Sequence, residues 1–291
     1  MAKPRDKVEG LYRRLQAERV ESLRAGTLSD ILGETLEACV ELLAGYPRVP
    51  LTTRIPNKSY FAFENSDGKI TRAINEALYA PSLDDWEALV AALRSDDFSN
   101  TDEDQLTRTI YSAAASFAAF IDLTRTRDQK TPGTFFEYLI GHLFAARLGV
   151  DPTTRLPVLN LDMDTTLPTD FTFDLGPERP KFHLPIKTST RERVIQVWAH
   201  QRVLDGVYGT GRFLGTPVIL AETKTDSRKR EVVEICLADQ WRIYQMHIAQ
   251  LKRVYYLDVP TAYSRLNEVF PPIHVVPFGR FFHELDELAT S

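Results

Sequence analysis

The chain reads as an α/β protein whose core is a mixed β-sheet flanked by helices, joined to a mainly helical N-terminal part. Two observations predict this. Up to Gly149 the apolar residues recur at the spacing of amphipathic helices. Beyond Gly149 the pattern shifts to short β-branched and aromatic runs, with two helical stretches set between them. The division is placed near residue 130, with a helical part over 1–130 and the sheet-containing core over 131–291. No Pro-, Gly- or Ser-rich linker separates the two, so they are expected to form one compact unit.

Taken in order, "SDILGETLEACVELLAG" is a helix with Ser29 expected as its N-cap and Gly45 as its stop. "PRVPLTTRIPNKSYFAFEN" is broken by prolines and reads as a loop with one short strand. "SLDDWEALVAALR" starts at a capping Ser82, with acids in its first turn that complement the positive end of the helix dipole. "EDQLTRTIYSAAASFAAFIDL" is a long Ala-rich helix, and "TPGTFFEYLIGHLFAARLGV" follows with Pro132 near its start and Gly149 at its end. Strands are expected over 170–175, 182–187, 216–224, 231–237 and 253–259, and helices from Ser189 to about Leu204 and from Asp239 to about Leu251. The first two strands are close enough to pair as an antiparallel hairpin, whereas strands joined through a helix should run parallel. Trp198, Trp241 and the amphipathic "FGRFFHELDEL" are expected in or on the core.

Composition narrows the function classes. Hydrophobic content of 43% with 26% charged residues is that of a soluble globular chain, and no apolar run approaches the ~20 residues of a membrane span. The start "MAKPRDKVEG" has no signal-peptide core, and Cys39 and Cys236 stand far apart with no metal-like spacing, so a reduced cytoplasm is expected. The histidines form no paired zinc spacing. A net charge of −5 excludes a uniformly basic nucleic-acid-binding surface. The charge is uneven, however: Lys181 to Arg202 holds five Lys/Arg against Glu192 alone. A second cluster, Lys224 to Arg230, carries four against Asp226 and reads as a solvated hairpin tip.

The chemistry centres on two strands. "LPTDFTFDL" puts Asp170 in the first, and Lys187 ends the next one 17 positions later, so a hairpin brings both side chains to one end of the sheet. Glu137, on the inward stripe of the preceding helix, is placed to point there too. Carboxylates that hold Mg²⁺ beside a lysine suit phosphodiester hydrolysis: the metal polarises the phosphate, and the lysine orients water and offsets charge. An Asp in a turn and a solvated strand-end Lys are also common structural features. What distinguishes this pair is the triplet Arg191-Glu192-Arg193, four to six positions after Lys187. Arginine can donate a bidentate pair to guanine and glutamate can accept from cytosine N4. Glu192 also stands three residues after Ser189, the spacing of a capping box, so the two roles compete for it.

Lys-x-x-x-Arg-Glu-Arg at 187–193, with an upstream Pro-x-Asp and a helical Glu, resembles the type II restriction endonucleases of the EcoRII, SsoII and NgoMIV group in the PD-(D/E)XK nuclease superfamily. The motif likeness spans about 130 to 205, and strand order extends it to about 260. The resemblance implies a restriction-endonuclease-like core and Mg²⁺-dependent cutting of double-stranded DNA by a homodimer at a palindromic CC…GG site. It also implies a cognate DNA methyltransferase in the same host. Carried over, Asp170 and Lys187 are catalytic, Asp170 binds metal, Glu137 takes a metal or proton role, and Arg191, Glu192 and Arg193 read bases. The sequence departs from the pattern where the acidic position two before the lysine is Pro185. The family's alternative, 13 positions past the lysine, is His200, followed by Gln201. His200 therefore stands as a candidate ligand and Asp174 as a substitute carboxylate. Two other classes remain open at this point: a repair or mobile-element nuclease on the same fold, and a non-cleaving DNA-binding protein.

Overall fold

The computed structural model describes residues 4–18, 22–158, 165–191 and 194–290. The N-terminal part opens with α1 (Pro4–Ala17) and α2 (Gly26–Leu43). Ser29 does not cap α2, because the helix starts three residues earlier and Ser29 is buried inside it, where its hydroxyl donates to His142 Nε2 at 2.8 Å. His142 Nδ1–H donates in turn to the Leu23 carbonyl at 2.6 Å, which fixes the tautomer that accepts from Ser29. A tertiary partner has taken the hydroxyl that sequence alone assigns to the helix end.

The Pro-broken stretch forms more structure than expected. β1 (Arg48–Thr53) pairs antiparallel with β2 (Tyr60–Phe63), and β2 with β3 (Ile74–Asn75). Pro50 is tolerated because the other neighbour of β1 pairs only at Thr52 and Thr53, so no ladder bond is lost where its N–H is missing. Then come α3 (Leu83–Ser95), capped by Ser82 through Asp85 N at 3.1 Å, and α4 (Glu103–Thr124). α5 (Lys130–Leu148) ends at Gly149, whose φ of 70° is the left-handed turn that glycine adopts without strain.

The core sheet is built from β4 (Thr153–Pro157), β5 (Thr166–Phe173), β6 (Lys181–Leu184), β7 (Ile186–Lys187), β8 (Phe213–Gly215), β9 (Val218–Ile219), β12 (Val254–Tyr256) and β13 (Val275–Pro277). β5 and β6 pair antiparallel, while β6–β8, β7–β9 and β9–β12 pair parallel, as the hairpin and crossover lengths required. β6 with β8, and β7 with β9, keep one offset of 32 residues, from Lys181↔Phe213 to Lys187↔Ile219. The same offset sets Pro185 beside Pro217. Hydrogen bonds from Thr216 N to His183 O (2.8 Å) and Val218 N to Pro185 O (2.9 Å) carry the ladder across. The two halves are thus one surface, interrupted only where the prolines lack N–H groups.

α6 (Val194–Tyr208) and α7 (Ala238–His247) cover one face of this surface, and α4 and α5 the other. Trp198 and Trp241 meet edge-to-face at 5.2 Å, both buried, as core residues should. The helix expected from Ser189 is described only from Val194, and Ser189 and Thr190 lie in a loop. The strand expected over 216–224 is divided, its end becoming β10 (Thr223–Asp226), which forms a hairpin with β11 (Glu231–Glu234). That hairpin joins β1, β2 and β3 in a separate five-stranded sheet, so residues on both sides of position 130 share a sheet. α8 (Arg280–Thr290) packs Phe281 and Phe282 into the main core, which also draws on α1 through α5. None of the helices among the described residues is long and apolar enough to cross a membrane.

Candidate active site

The pairing of β5 with β6 ends at Phe171↔Leu184. The next pair in that register sets Asp170 against Pro185, whose backbone faces β9 instead, its carbonyl accepting from Val218 N at 2.9 Å. The next backbone group on the β5 side is the amide of Ile186, and the pairing of β5 does not extend to it. The Asp170 carboxylate takes it: Ile186 N donates to Oδ2 at 2.8 Å, and Lys187 Nζ donates to the same oxygen at 2.5 Å. Asp170 thus serves the Ile186 amide where the β5–β6 pairing stops, beside Pro185, which stands where an acid was expected. Phe171 and Phe173 point to the opposite face, against α5, where Phe171 abuts Gly141 and Phe173 stacks on Phe144.

Glu137 on α5 faces the same place. With Lys187, Ser189 and Arg191 it lines a cleft of about 500 Å³. Burial, and after it the charge of Asp170, push the Glu137 carboxyl up to about 7, against the partial relief of Lys187 and Lys130. A buried carboxyl raised further by a neighbouring carboxylate, beside a lysine, is a set that a divalent cation would relax. Mg²⁺ is ordinarily held by one or two carboxylates plus water and phosphate oxygens, so Asp170 and Glu137 fit it. Among the described residues no three His, Cys, Asp or Glu side chains converge as a metal cluster, so the trio of Asp170, Glu137 and His200 is not assembled.

His200 is half-buried on α6, and its imidazole lies below its ordinary value through burial, despite the charge of Asp170. Its ring stands 6.3 Å from that of His183, which is fully buried on β6. His183 Nδ1–H donates to Gln201 Oε1 at 3.0 Å, since Gln201 Nε2 is committed to Phe213 O and Asp205. Burial pushes His183 down to about 4, so it is neutral, and its Nε2 has no hydrogen-bond partner. Asp174 is removed from the cleft: it is exposed and pairs with Lys181 at 2.5 Å.

Of the triplet, Arg191 lines the cleft with its Nε donating to Ser189 Oγ at 2.9 Å, whereas Glu192 and Arg193 lie outside the described residues. Ser189 does not act as a helix cap. Its hydroxyl donates to Glu222 Oε2 at 2.7 Å, and Thr190 donates to Oε1 through both N–H (2.9 Å) and hydroxyl (2.5 Å). Tyr256 adds a fourth donor at 2.9 Å. Glu222, 1% exposed, thus fixes the start of the loop that carries Arg191. Sequence reasoning gave it no role, although an acid at the end of the apolar run "PVILAE" was the signal.

A solved structure that this chain superposes on is that of the type IIP restriction endonuclease Kpn2I. The TM-score is 0.79 with 22% sequence identity, covering 98% of this chain and 96% of the other. The fold is that of a type II restriction endonuclease. The complex of the restriction endonuclease PspGI with substrate DNA aligns over 99% and 93% of the chains, with 12% identity and a TM-score of 0.42, too loose to support an inference. No protein-family model matches the sequence, and no curated protein matches it.

Proposed function

We propose that the protein is a sequence-specific, Mg²⁺-dependent type II restriction endonuclease that hydrolyses phosphodiesters of double-stranded DNA. The observation that carries this is the convergence of Asp170, Lys187 and Glu137 where the β5–β6 pairing ends, on a fold shared with a restriction endonuclease. The Lys187 ammonium, anchored by Asp170, sits where it can offset charge on a phosphate in the cleft and hold a water for attack. Glu137, with its carboxyl near 7, can take a proton from that water close to neutral pH. Mg²⁺ held by Asp170 and Glu137 would supply charge neutralisation on the phosphate and a more acidic water.

Arg191, with Glu192 and Arg193, reads the C·G pairs of a palindromic CC…GG site, and a homodimer presents one cleft to each strand. Such an enzyme works in the cytoplasm beside a methyltransferase that protects the host's own sites. The test is digestion of a mixed-sequence plasmid with Mg²⁺. Discrete bands whose ends share a palindromic CC…GG sequence are expected. A smear would indicate a nuclease without site preference, and retention without cutting a DNA-binding protein. Lys187→Ala and Asp170→Ala should each abolish cleavage while DNA retention in Ca²⁺ persists. Cutting by Lys187→Ala near the wild-type rate would remove the lysine from the mechanism.

A further inference from the structure

Next to the cleft of Lys187 lies a second, of about 480 Å³, which shares Gln129, Thr188, Ser189 and Arg191 with the first. The two are therefore one groove, running from the catalytic lysine over the Arg191 loop to the N-terminal sheet. Three distant parts of the sequence wall the far end: the segment before β3, the turn between α4 and α5, and β10. Each contributes cations.

The acids in this wall are already neutralised. Asp122 receives Arg72 in a forked pair at 2.8 and 3.0 Å, and Asp128 receives Arg125 at 2.9 Å. Among the described residues, Lys69, Arg127, Arg191 and Lys224 have no carboxylate partner, so the groove carries unbalanced positive charge on a chain of net −5. Lys69 is held in place, its Nζ donating to the carbonyls of Asp122 and Arg125 at the end of α4. Arg127 is exposed and has a φ of 58°, a left-handed backbone that costs a non-glycine residue of order 1 kcal/mol. Lys224 is exposed on the same groove, so the 224–230 cluster is not wholly a solvated tip. Of its other cations, Arg230 is paired with Glu64.

We infer that this end of the groove binds the phosphate backbone of duplex DNA outside the base pairs read by the Arg191 loop, with Lys69, Arg127 and Lys224 each meeting a phosphate. The inference rests on the nuclease function proposed above. Cations without a carboxylate partner, spread along a groove, suit phosphate oxygens, which fix register without reading sequence. Contributions from the N-terminal sheet and the β10–β11 hairpin would make the contacted DNA longer than the recognised site.

The test uses the full chain in Ca²⁺, with affinity measured between 50 and 200 mM salt on the mapped site with long flanks. Lys224→Gln and Arg127→Asn are compared with wild type; asparagine accepts the left-handed backbone, and an unchanged melting temperature confirms the fold. Each lost phosphate contact lowers the slope of log affinity against log salt by about 0.9, so the loss of affinity over this range shrinks about 3.5-fold. Discrimination between cognate and mutated sites should stay at the wild-type ratio, and on a duplex trimmed to the recognised pairs the variants should match wild type. Wild-type slopes in both variants would overturn the groove while leaving the nuclease function standing, and so would loss of discrimination with an unchanged slope. A wild-type protein that retains no duplex at all would overturn both.

Discussion

Replacing Glu137 by glutamine should stabilise the protein at alkaline pH while destroying its activity. In the folded chain the Glu137 carboxyl lies at about 7, against an ordinary 4.5, chiefly through burial and next through Asp170. Below pH 4.5 folded and unfolded chains both carry the proton, so this group contributes no difference. Between 4.5 and 7 the unfolded chain releases its proton first, and stability falls as pH rises. Above 7 the full penalty is present, at most about 3 kcal/mol at 1.36 kcal/mol per pH unit of displacement, and less to the extent that solvent reaches the cleft. Glutamine keeps the shape and carries no charge. For a chain of this length the expected rise in Tm at pH 8 is up to about 5 °C, vanishing near pH 4.5. Scanning calorimetry of both proteins across this range, without metal, measures it. Ca²⁺ should raise the wild-type Tm at pH 8 and leave Glu137→Gln nearly unchanged. A Tm difference that is constant with pH, or that grows as pH falls, would refute the placement of Glu137 against Asp170.

Two further outcomes follow from buried carboxylates. Glu222→Ala leaves the donors of Ser189, Thr190 and Tyr256 without an acceptor; at roughly 1–3 kcal/mol for each buried orphan, chemical denaturation should show a loss of about 4 kcal/mol or more. Glu222→Gln keeps the oxygen that takes Thr190 and Tyr256 and should lose clearly less; equal losses would count against the hub. Lys58 Nζ reaches Glu234 Oε1 and Asp258 Oδ1, both at 2.7 Å, and Asp258 is 2% exposed. Lys58→Met should therefore destabilise by about 3–5 kcal/mol. Adding Asp258→Asn should recover part of that loss, and a purely additive double variant would show that the pair is not coupled.

The sequence by itself determined the elements whose signals are local. Helical periodicity and a glycine free to adopt positive φ placed α5 and its end at Gly149, and Ser82 capped α3 as its position required. Chain length between strands set which pairs run antiparallel and which parallel, because a short connection can only reverse the chain and a helix must cross over. The spacing of Asp170 and Lys187 likewise placed both at one end of the sheet. What only the tertiary structure decided is where local preference met a distant competitor. Ser29 looks like a cap and is instead a partner of buried His142; Ser189 looks like a cap and is held by Glu222. Pro50 reads as a strand breaker until the neighbouring strand is seen to stop short of it. Pro185 reads as a lost carboxylate, and only the register shows that the β5–β6 pairing stops beside it and leaves the Ile186 amide to Asp170. In each case the deciding bond joins residues far apart in the chain or in adjacent strands. Its energy is fixed by burial and register, and neither can be read from a window of neighbouring residues.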